Sequence, residues 1–369
     1  MNRKRSTRYF RAGAADPKDP AIAECARLLA EGGLVAFPTE TVYGLGACAL
    51  LPDAVAGIFE AKGRPADNPL IIHADTAERA FELARNVPDT ARALADAFWP
   101  GPLTMVLPKA AKVPLQATAG LDTVAVRVPA HGVALALLAA VGAPVAAPSA
   151  NLSGRPSPTK ADHVLRDLEG RIDAVLDGGP TGIGLESTVI DLTSMPPRIL
   201  RPGGVTQREL EAVLGRVESL AGPLEGSGNG EGGASVEVRS PGLKYRHYAP
   251  KAEAIAVHGS PERIAAAIAA LRRERSGKER PGFLVSRETA RRAGLPSPDP
   301  LVYELGSAGD VEEAARRFYD GLRSLDEAGA SVIYIEAFPA EGVGVALRDR
   351  LARATEGRRL DAPAGPDAR

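Results

Sequence analysis

Lysine, arginine, serine, threonine and asparagine recur in short loops framed by glycine and proline, with no catalytic triad and no metal-ligand cluster beside them. Lys62-Gly63-Arg64-Pro65, followed by Asn68-Pro69, sets a point charge and a bidentate fork two residues apart. That pairing suits a polyphosphate, although a solvated helix C-terminus would use the same cations. Phe37-Pro38-Thr39-Glu40-Thr41-Val42-Tyr43-Gly44-Leu45-Gly46 puts two hydroxyls and a carboxylate at a strand end, or else makes a Thr-capped turn. In Asp122-Thr123-Val124-Ala125-Val126-Arg127-Val128-Pro129 the apolar neighbours predict that Arg127 is buried. An unpaired buried guanidinium is costly, so it must face a carboxylate of the protein or of a ligand. Ala147-Pro148-Ser149-Ala150-Asn151-Leu152-Ser153-Gly154 packs small polar groups into a loop that can hold a ligand by hydroxyl, amide and backbone N–H. Gly184-Leu185-Glu186-Ser187-Thr188-Val189 and Leu200-Arg201-Pro202-Gly203 complete an anion-rich set. Such a site works by positioning and charge neutralisation, as nucleotidyl transfer requires.

Other chemistries fit less well. Ser153 has no GxSxG elbow and no placed histidine, so an esterase nucleophile is not expected. There is no GxxxxGK[ST] loop. Gly228-x-Gly230-x-x-Gly233 matches the dinucleotide fingerprint but sits in a glycine-rich stretch with no strand before it. Gly44-x-Gly46-x-x-Ala49 is better placed, yet Lys62-Gly63-Arg64 stands where an acidic residue would bind a ribose. Cys25 and Cys48 are too far apart for a CxxC motif, so no disulfide framework, no zinc and no protein-held metal are expected. Trp99-Pro100-Gly101-Pro102-Leu103-Thr104 reads as a rigid turn in which the Trp packs.

These loops need elements to hold them. Apolar runs at Leu34–Phe37, Leu70–His73, Leu103–Leu107, Val124–Val128, Val145–Ala147, Ala174–Leu176 and Val189–Leu192 predict strands. Helical periodicity marks 20–30, 52–61, 77–85, 89–98, 132–140, 160–168 and 206–214. The alternation predicts an α/β domain with a mixed sheet. Residues 221–235 are dominated by Gly, Ser and Glu and are expected to be a flexible linker. Beyond them, strands at Ala254–Val257, Gly282–Val285, Leu301–Glu304 and Val332–Glu336 alternate with helices at 260–274, 287–292, 309–325 and 343–354. That βαβ series predicts a smaller α/β domain with a parallel, Rossmann-like sheet.

A length of 369 residues favours two domains. The 45 basic and 46 acidic side chains give a net charge of −1, so any basic surface must be local. The basic start, Met1 to Arg5, is followed by no apolar stretch, and no run approaches the length of a membrane helix. A secretory signal and a membrane span are therefore not expected, and a cytoplasmic location is.

Taken together, the motifs resemble the YrdC-type threonylcarbamoyl-AMP synthases. The likeness runs from about residue 18 to 214 and rests on Pro38 to Gly46, Lys62-x-Arg64 with Asn68-Pro69-Leu70, the Trp99 turn, Arg127-x-Pro129, Ser149-x-Asn151, Glu186-Ser187-Thr188 and Arg201-Pro202-Gly203. Ser240 to Pro250 is similar to the linker of the long, two-domain members, with Leu243 where Met is common. The resemblance implies a basic tail over 1–17, a YrdC-like catalytic domain with a twisted mixed sheet over 18–215 and a linker and lid over 216–250. A Rossmann-like domain over 251–356 and a disordered tail over 357–369 would complete the chain. It implies synthesis of threonylcarbamoyl-AMP and pyrophosphate from L-threonine, bicarbonate and ATP, for threonylcarbamoyladenosine modification of tRNA. On that analogy Thr41, His73, Arg127 and Ser187 hold threonine. Arg64, Asn68, Thr123, Ser149, Ser157, Arg201 and Tyr248 hold ATP, and Lys62, Arg64, Ser149 and Asn151 act in catalysis. Mg²⁺ would accompany ATP. A threonylcarbamoyl transferase would take the product, and an RNA contact is a further expectation.

Two other readings stay open at this stage. A binding module for nucleotide or double-stranded RNA would want spread cations and aromatics, whereas these cations sit in short loops. A carbamoyltransferase using carbamoyl phosphate would bring zinc-binding cysteines that the chain lacks.

Overall fold

Asp19 opens the first helix by accepting from the N–H groups of Ala21 and Ile22 (2.9 and 3.2 Å), and Pro20 supplies a preset φ at its first turn. Ile22, Cys25, Ala26 and Leu29 then bury one stripe of that helix. The computed structural model describes residues 6–219, 248–275 and 279–363. These residues form two compact units, one of 6–153 with 157–219, the other of 154–156 with 248–275 and 279–363.

The first unit begins with β1 (Arg8–Arg11), α1 (Pro20–Ala30), β2 (Val35–Phe37), β3 (Gly44–Cys48) and α2 (Pro52–Lys62). It continues through β4 (Ile71–His73), α3 (Ala77–Phe81), α4 (Asp89–Phe98), β5 (Leu103–Pro108), α5 (Leu115–Thr118) and β6 (Thr123–Arg127). Next come α6 (Gly132–Val141), β7 (Val145–Ala146), α7 (Ala161–Leu168), β8 (Ala174–Asp177), β9 (Thr188–Asp191), β10 (Arg198–Arg201), α8 (Gln207–Leu214) and β11 (Glu218–Ser219). The strands join in the order β1-β8-β2-β3-β7-β4-β6-β5-β9-β10-β11. Parallel and antiparallel pairs mix, as expected: β4 and β6 run parallel, β5 and β6 antiparallel. The core is aliphatic, with Leu34, Leu45, Ile58, Leu70, Met105, Val126 and Ile190 buried.

The second unit holds β12 (Glu253–His258), α9 (Pro261–Arg275), β13 (Pro281–Val285), α10 (Arg287–Arg292), β14 (Val302–Glu304), α11 (Val311–Glu327), β15 (Val332–Glu336), α12 (Gly344–Ala354) and β16 (Arg359–Asp361). Its sheet, β14-β13-β15-β12-β16, is wholly parallel, the Rossmann-like architecture read from the βαβ pattern. Glu336 is buried and caps α10, accepting from the Ser286 N–H (2.6 Å) and the Thr289 hydroxyl (2.9 Å).

Several expected boundaries need correcting. The tail over 1–17 contains β1, which pairs with β8 from Arg8↔Ala174 to Arg11↔Asp177. The linker over 216–250 starts too early, because β11 pairs with β10, and ends too late, because Tyr248, Ala249 and Pro250 are buried in the second unit. The C-terminal tail over 357–369 contains β16, which pairs with β12. At β1, β11 and β16 the ladder supplies main-chain partners to residues too polar to read as strand. The catalytic domain over 18–215 includes Gly154–Pro156, which belong to the second unit. Gly44 and Gly46 lie in a strand, not a phosphate loop, since a Cβ on Gly46 would come within 2.9 Å of Phe37 and Val145. The glycine-rich 221–235 stretch, with Gly228-x-Gly230-x-x-Gly233, and most of Ser240 to Pro250 fall outside the described residues.

Candidate active site

The turn between β2 and β3 carries Thr39, Glu40 and Thr41, all buried. The Thr39 hydroxyl donates to the Val42 carbonyl (2.7 Å) and lies 2.8 Å from the Thr41 hydroxyl. Arg127 ends β6 directly beside His73 at the end of β4, so their side chains share a sheet face. Its Nη1 donates to Thr41 (3.0 Å), its Nε to the Gly101 carbonyl (3.2 Å), and its Nη2 lies 2.7 Å from Glu40. The carboxylate required by a buried guanidinium is thus supplied by the protein. Three of the residues expected to hold threonine, Thr41, His73 and Arg127, meet here.

His73 is buried, and its Nδ1 has no hydrogen-bond partner. Burial, and then the charge of Arg127, push its pKa down to about 3 against the pull of the Ile71 and Val145 carbonyls. The ring is neutral at physiological pH and offers a nitrogen to a donor. Because its folded pKa lies below the unfolded value, the unfolded chain binds more protons between about pH 3 and 6.5. Stability therefore falls as pH drops through 6.5, by about 1.4 kcal/mol per unit from this group. His131, also lowered by burial, acts in the same direction. In His73→Asn, urea unfolding at pH 7 and pH 5 should show an acid-induced loss about 2 kcal/mol smaller than in the parent. An unchanged difference would refute the assignment.

Ser187, the fourth residue, precedes β9. Its hydroxyl lies 2.8 Å from that of Thr104 and accepts from Arg201 (3.2 Å), whose Nε also binds the Ser187 carbonyl (3.1 Å). Gly203 must lack a side chain for this contact, since its Cβ would stand 2.1 Å from the Thr188 nitrogen. The loop 183–184 reaches the first cluster by backbone bonds, Ile183 N–H to the Glu40 carbonyl (2.7 Å) and Gly184 N–H to the Thr41 carbonyl (3.1 Å).

Of the residues expected to act on phosphates, Lys62, Ser149 and Asn151 are joined by hydrogen bonds. Gly63 takes a left-handed conformation (φ 60°) that ends α2 and sends Lys62 inward. Lys62 Nζ donates to the carbonyls of Ser149 (2.5 Å) and Asn151 (2.6 Å), and the Ser149 hydroxyl to Asn151 Oδ1 (2.5 Å). Arg64 Nη2 donates to the carbonyls of Asn68 (3.3 Å) and Pro69 (3.1 Å). The Asn68 amide is buried, and neither its oxygen nor its nitrogen has a partner, an arrangement that calls for a ligand with both donor and acceptor. Ser157 donates to Glu186 (2.5 Å). Thr123 opens β6 opposite Pro108, four residues before Arg127 and about 13 Å away along an extended strand. Tyr248 packs within the second unit, its ring 5.5 Å from that of Tyr319 and 5.6 Å from the Arg350 guanidinium carbon. Trp99 packs on Phe81 and donates to the Leu103 carbonyl (2.7 Å), a structural role as expected.

The residues missed by sequence reasoning are Glu40, Thr104 and Glu186. All three lie inside the motifs named above, but the link from Thr104 to Ser187 spans 83 residues and leaves no local signal.

Comparison with known proteins gives a family. Residues 27–203 match the Sua5/YciO/YrdC family model, described as "Telomere recombination". Residues 205–355 match the Sua5 C-terminal model, described as "Threonylcarbamoyl-AMP synthase, C-terminal domain". A threonylcarbamoyl-AMP synthase of Bacillus subtilis is 48% identical over 341 residues, covering 92% of this chain and 94% of that protein. One from Pyrococcus abyssi is 49% identical over 333 residues, covering 89% and 92%. The crystal structure of P. abyssi Sua5 complexed with L-threonine superposes with a TM-score of 0.85 at 45% identity, covering 97% of this chain and 99% of that one.

Proposed function

The chain belongs to the threonylcarbamoyl-AMP synthase family, and on that premise we propose how its residues carry out the family's reaction. It is a nucleotidyltransferase that joins L-threonine, bicarbonate and ATP into threonylcarbamoyl-AMP and pyrophosphate. The amine of threonine adds to bicarbonate to give a carbamate and water. A carbamate oxygen then attacks the α-phosphorus in line, and pyrophosphate leaves. Carbamates are labile in water, so a buried site serves the chemistry.

The observation that carries the assignment is the buried Arg127 beside the orphaned nitrogen of neutral His73. Arg127 takes the threonine carboxylate, while Thr41, His73 and Ser187 hold its polar groups. Arg64 and the unpartnered amide of Asn68 receive ATP with Thr123, Ser149, Ser157 and Arg201, and Lys62 and Asn151 hold the loop that carries Ser149. Among the described residues no group of three or more His, Cys, Asp or Glu could hold a metal, so Mg²⁺ enters with the ATP phosphates, as part of the substrate. The product passes to a transferase that modifies an adenosine of tRNA. Lys62, Arg127 and Arg201 are at most 5% exposed, which favours a small-molecule site over an RNA-binding face. No helix among the described residues is long and apolar enough to cross a membrane, and we assign the reaction to the cytoplasm.

Pyrophosphate release should require ATP, threonine and bicarbonate together. It should fall by about 100-fold in Arg64→Ala, the range for removing a charged donor from a transition-state site. Release without threonine, or an unaffected variant, would overturn the assignment.

A further inference from the structure

The carboxylate of Glu40 has no part in the assignment above, yet it is the least satisfied charge in the site. Glu40 is 8% exposed and faces Arg127 across 2.7 Å. Neither of its oxygens accepts a properly directed hydrogen bond. Arg127 meanwhile commits Nη1 to Thr41 and Nε to the Gly101 carbonyl. A buried carboxylate has about four acceptor positions and is ordinarily hydrogen-bonded through several of them. His131 lies within electrostatic reach, for the Glu40 charge opposes the burial that lowers its pKa, and its Nδ1 also lacks a partner. The wall that presents a guanidinium therefore presents an acceptor-rich carboxylate beside it. An α-amino acid carries a carboxylate and an ammonium on one carbon, the counterpart of that pair.

Resting on the reading that threonine occupies this site, we infer that Glu40 receives the α-ammonium of the amino acid and accepts the proton that nitrogen must lose before it can attack. The ammonium gives one proton to the Glu40 carboxylate, leaving a neutral amine and a carboxylic acid. The amine lone pair forms the N–C bond with bicarbonate, a C–O bond breaks, and the carbamate and one water result. The proton on Glu40 then passes to solvent, restoring the carboxylate, and the carbamate oxygen is free to attack phosphorus.

Calorimetric titration of the full chain with L-threonine and with 2,3-dihydroxybutanoate, the same skeleton with a hydroxyl for the amine, tests the inference. The parent protein should prefer threonine by about 10- to 100-fold, the range for a hydrogen bond to a charged group. Glu40→Gln should lose that preference while still binding dihydroxybutanoate, and its threonine-saturated pyrophosphate release should fall by about 100-fold. Equal weakening of both ligands would overturn the inference, because Glu40 would then only neutralise Arg127. Should Glu40→Gln fail to fold, Glu40→Asp keeps the charge and withdraws it by one methylene. There threonine affinity should drop more than dihydroxybutanoate affinity, and an equal drop would again overturn it. A parent protein that binds neither ligand would instead overturn the threonine assignment itself.

Discussion

Arg127→Met should abolish threonine-dependent pyrophosphate release and lower the unfolding free energy by about 3–5 kcal/mol, the cost of stranding one partner of a buried ion pair. The substitution keeps the aliphatic volume but leaves Glu40 as a buried charge, with the Gly101 carbonyl and the Thr41 hydroxyl each short of a donor. The two consequences separate in a second variant. Arg127→Met combined with Glu40→Gln removes both charges, and replacing a buried pair outright is often near neutral. The double variant should therefore regain most of the lost stability in urea unfolding and none of the activity. If it were as unstable as the single variant, the 2.7 Å contact would not be an energetic pair.

That pair also shows where sequence reasoning reaches its limit. Burial of Arg127 followed from the valines and alanine around it, and the need for a carboxylate from the cost of burying charge. Glu40 stood in a quoted motif, but nothing local joins residue 40 to residue 127. The contact exists because the turn from β2 to β3 is folded against the end of β6. Long-range register is the information that spacing lacks. The strands bounding the site were legible when both faces were apolar, as in Ile71–His73 and Leu103–Pro108. The polar edge strands β1 and β16 were not, although the edge strand β14 was expected at Leu301–Glu304. Arg8-Tyr9-Phe10-Arg11 has one partner strand and mostly exposed side chains, and Arg359–Asp361 has a similar pattern. Both read as polar tail until a ladder is offered to them. Gly44–Cys48 was hidden by its glycines, and at Gly46 Phe37 and Val145 fill the space a Cβ would need. Of the site, the residue types and their loops were legible. Which groups are spent on the protein's own carbonyls and which, like the Asn68 amide, have no hydrogen-bond partner was not.

Lys62 illustrates the spent kind, and it carries the second large effect. Its side-chain nitrogen is 2.5 and 2.6 Å from the carbonyls of Ser149 and Asn151, while its own carbonyl accepts from the Ser153 N–H (2.9 Å). One residue thus grips the 149–153 loop from both its backbone and its side chain. Lys62→Met should strand the two carbonyls, at about 1–3 kcal/mol each, and release Ser149 and Asn151 from their positions. Pyrophosphate release should fall by about 100-fold or more, with the loss divided between a raised KM for ATP and a lowered kcat. Lys62→Arg should not rescue it. A planar fork cannot converge on two carbonyls that a compact nitrogen reaches at the end of an unbranched stem. If Lys62 served only as a charge near the phosphates, Arg would restore activity at raised ATP concentration, and the loop would keep its stability in Lys62→Met. Steady-state kinetics and urea unfolding of the two variants therefore decide between a residue that contacts the nucleotide and one that builds the loop around it.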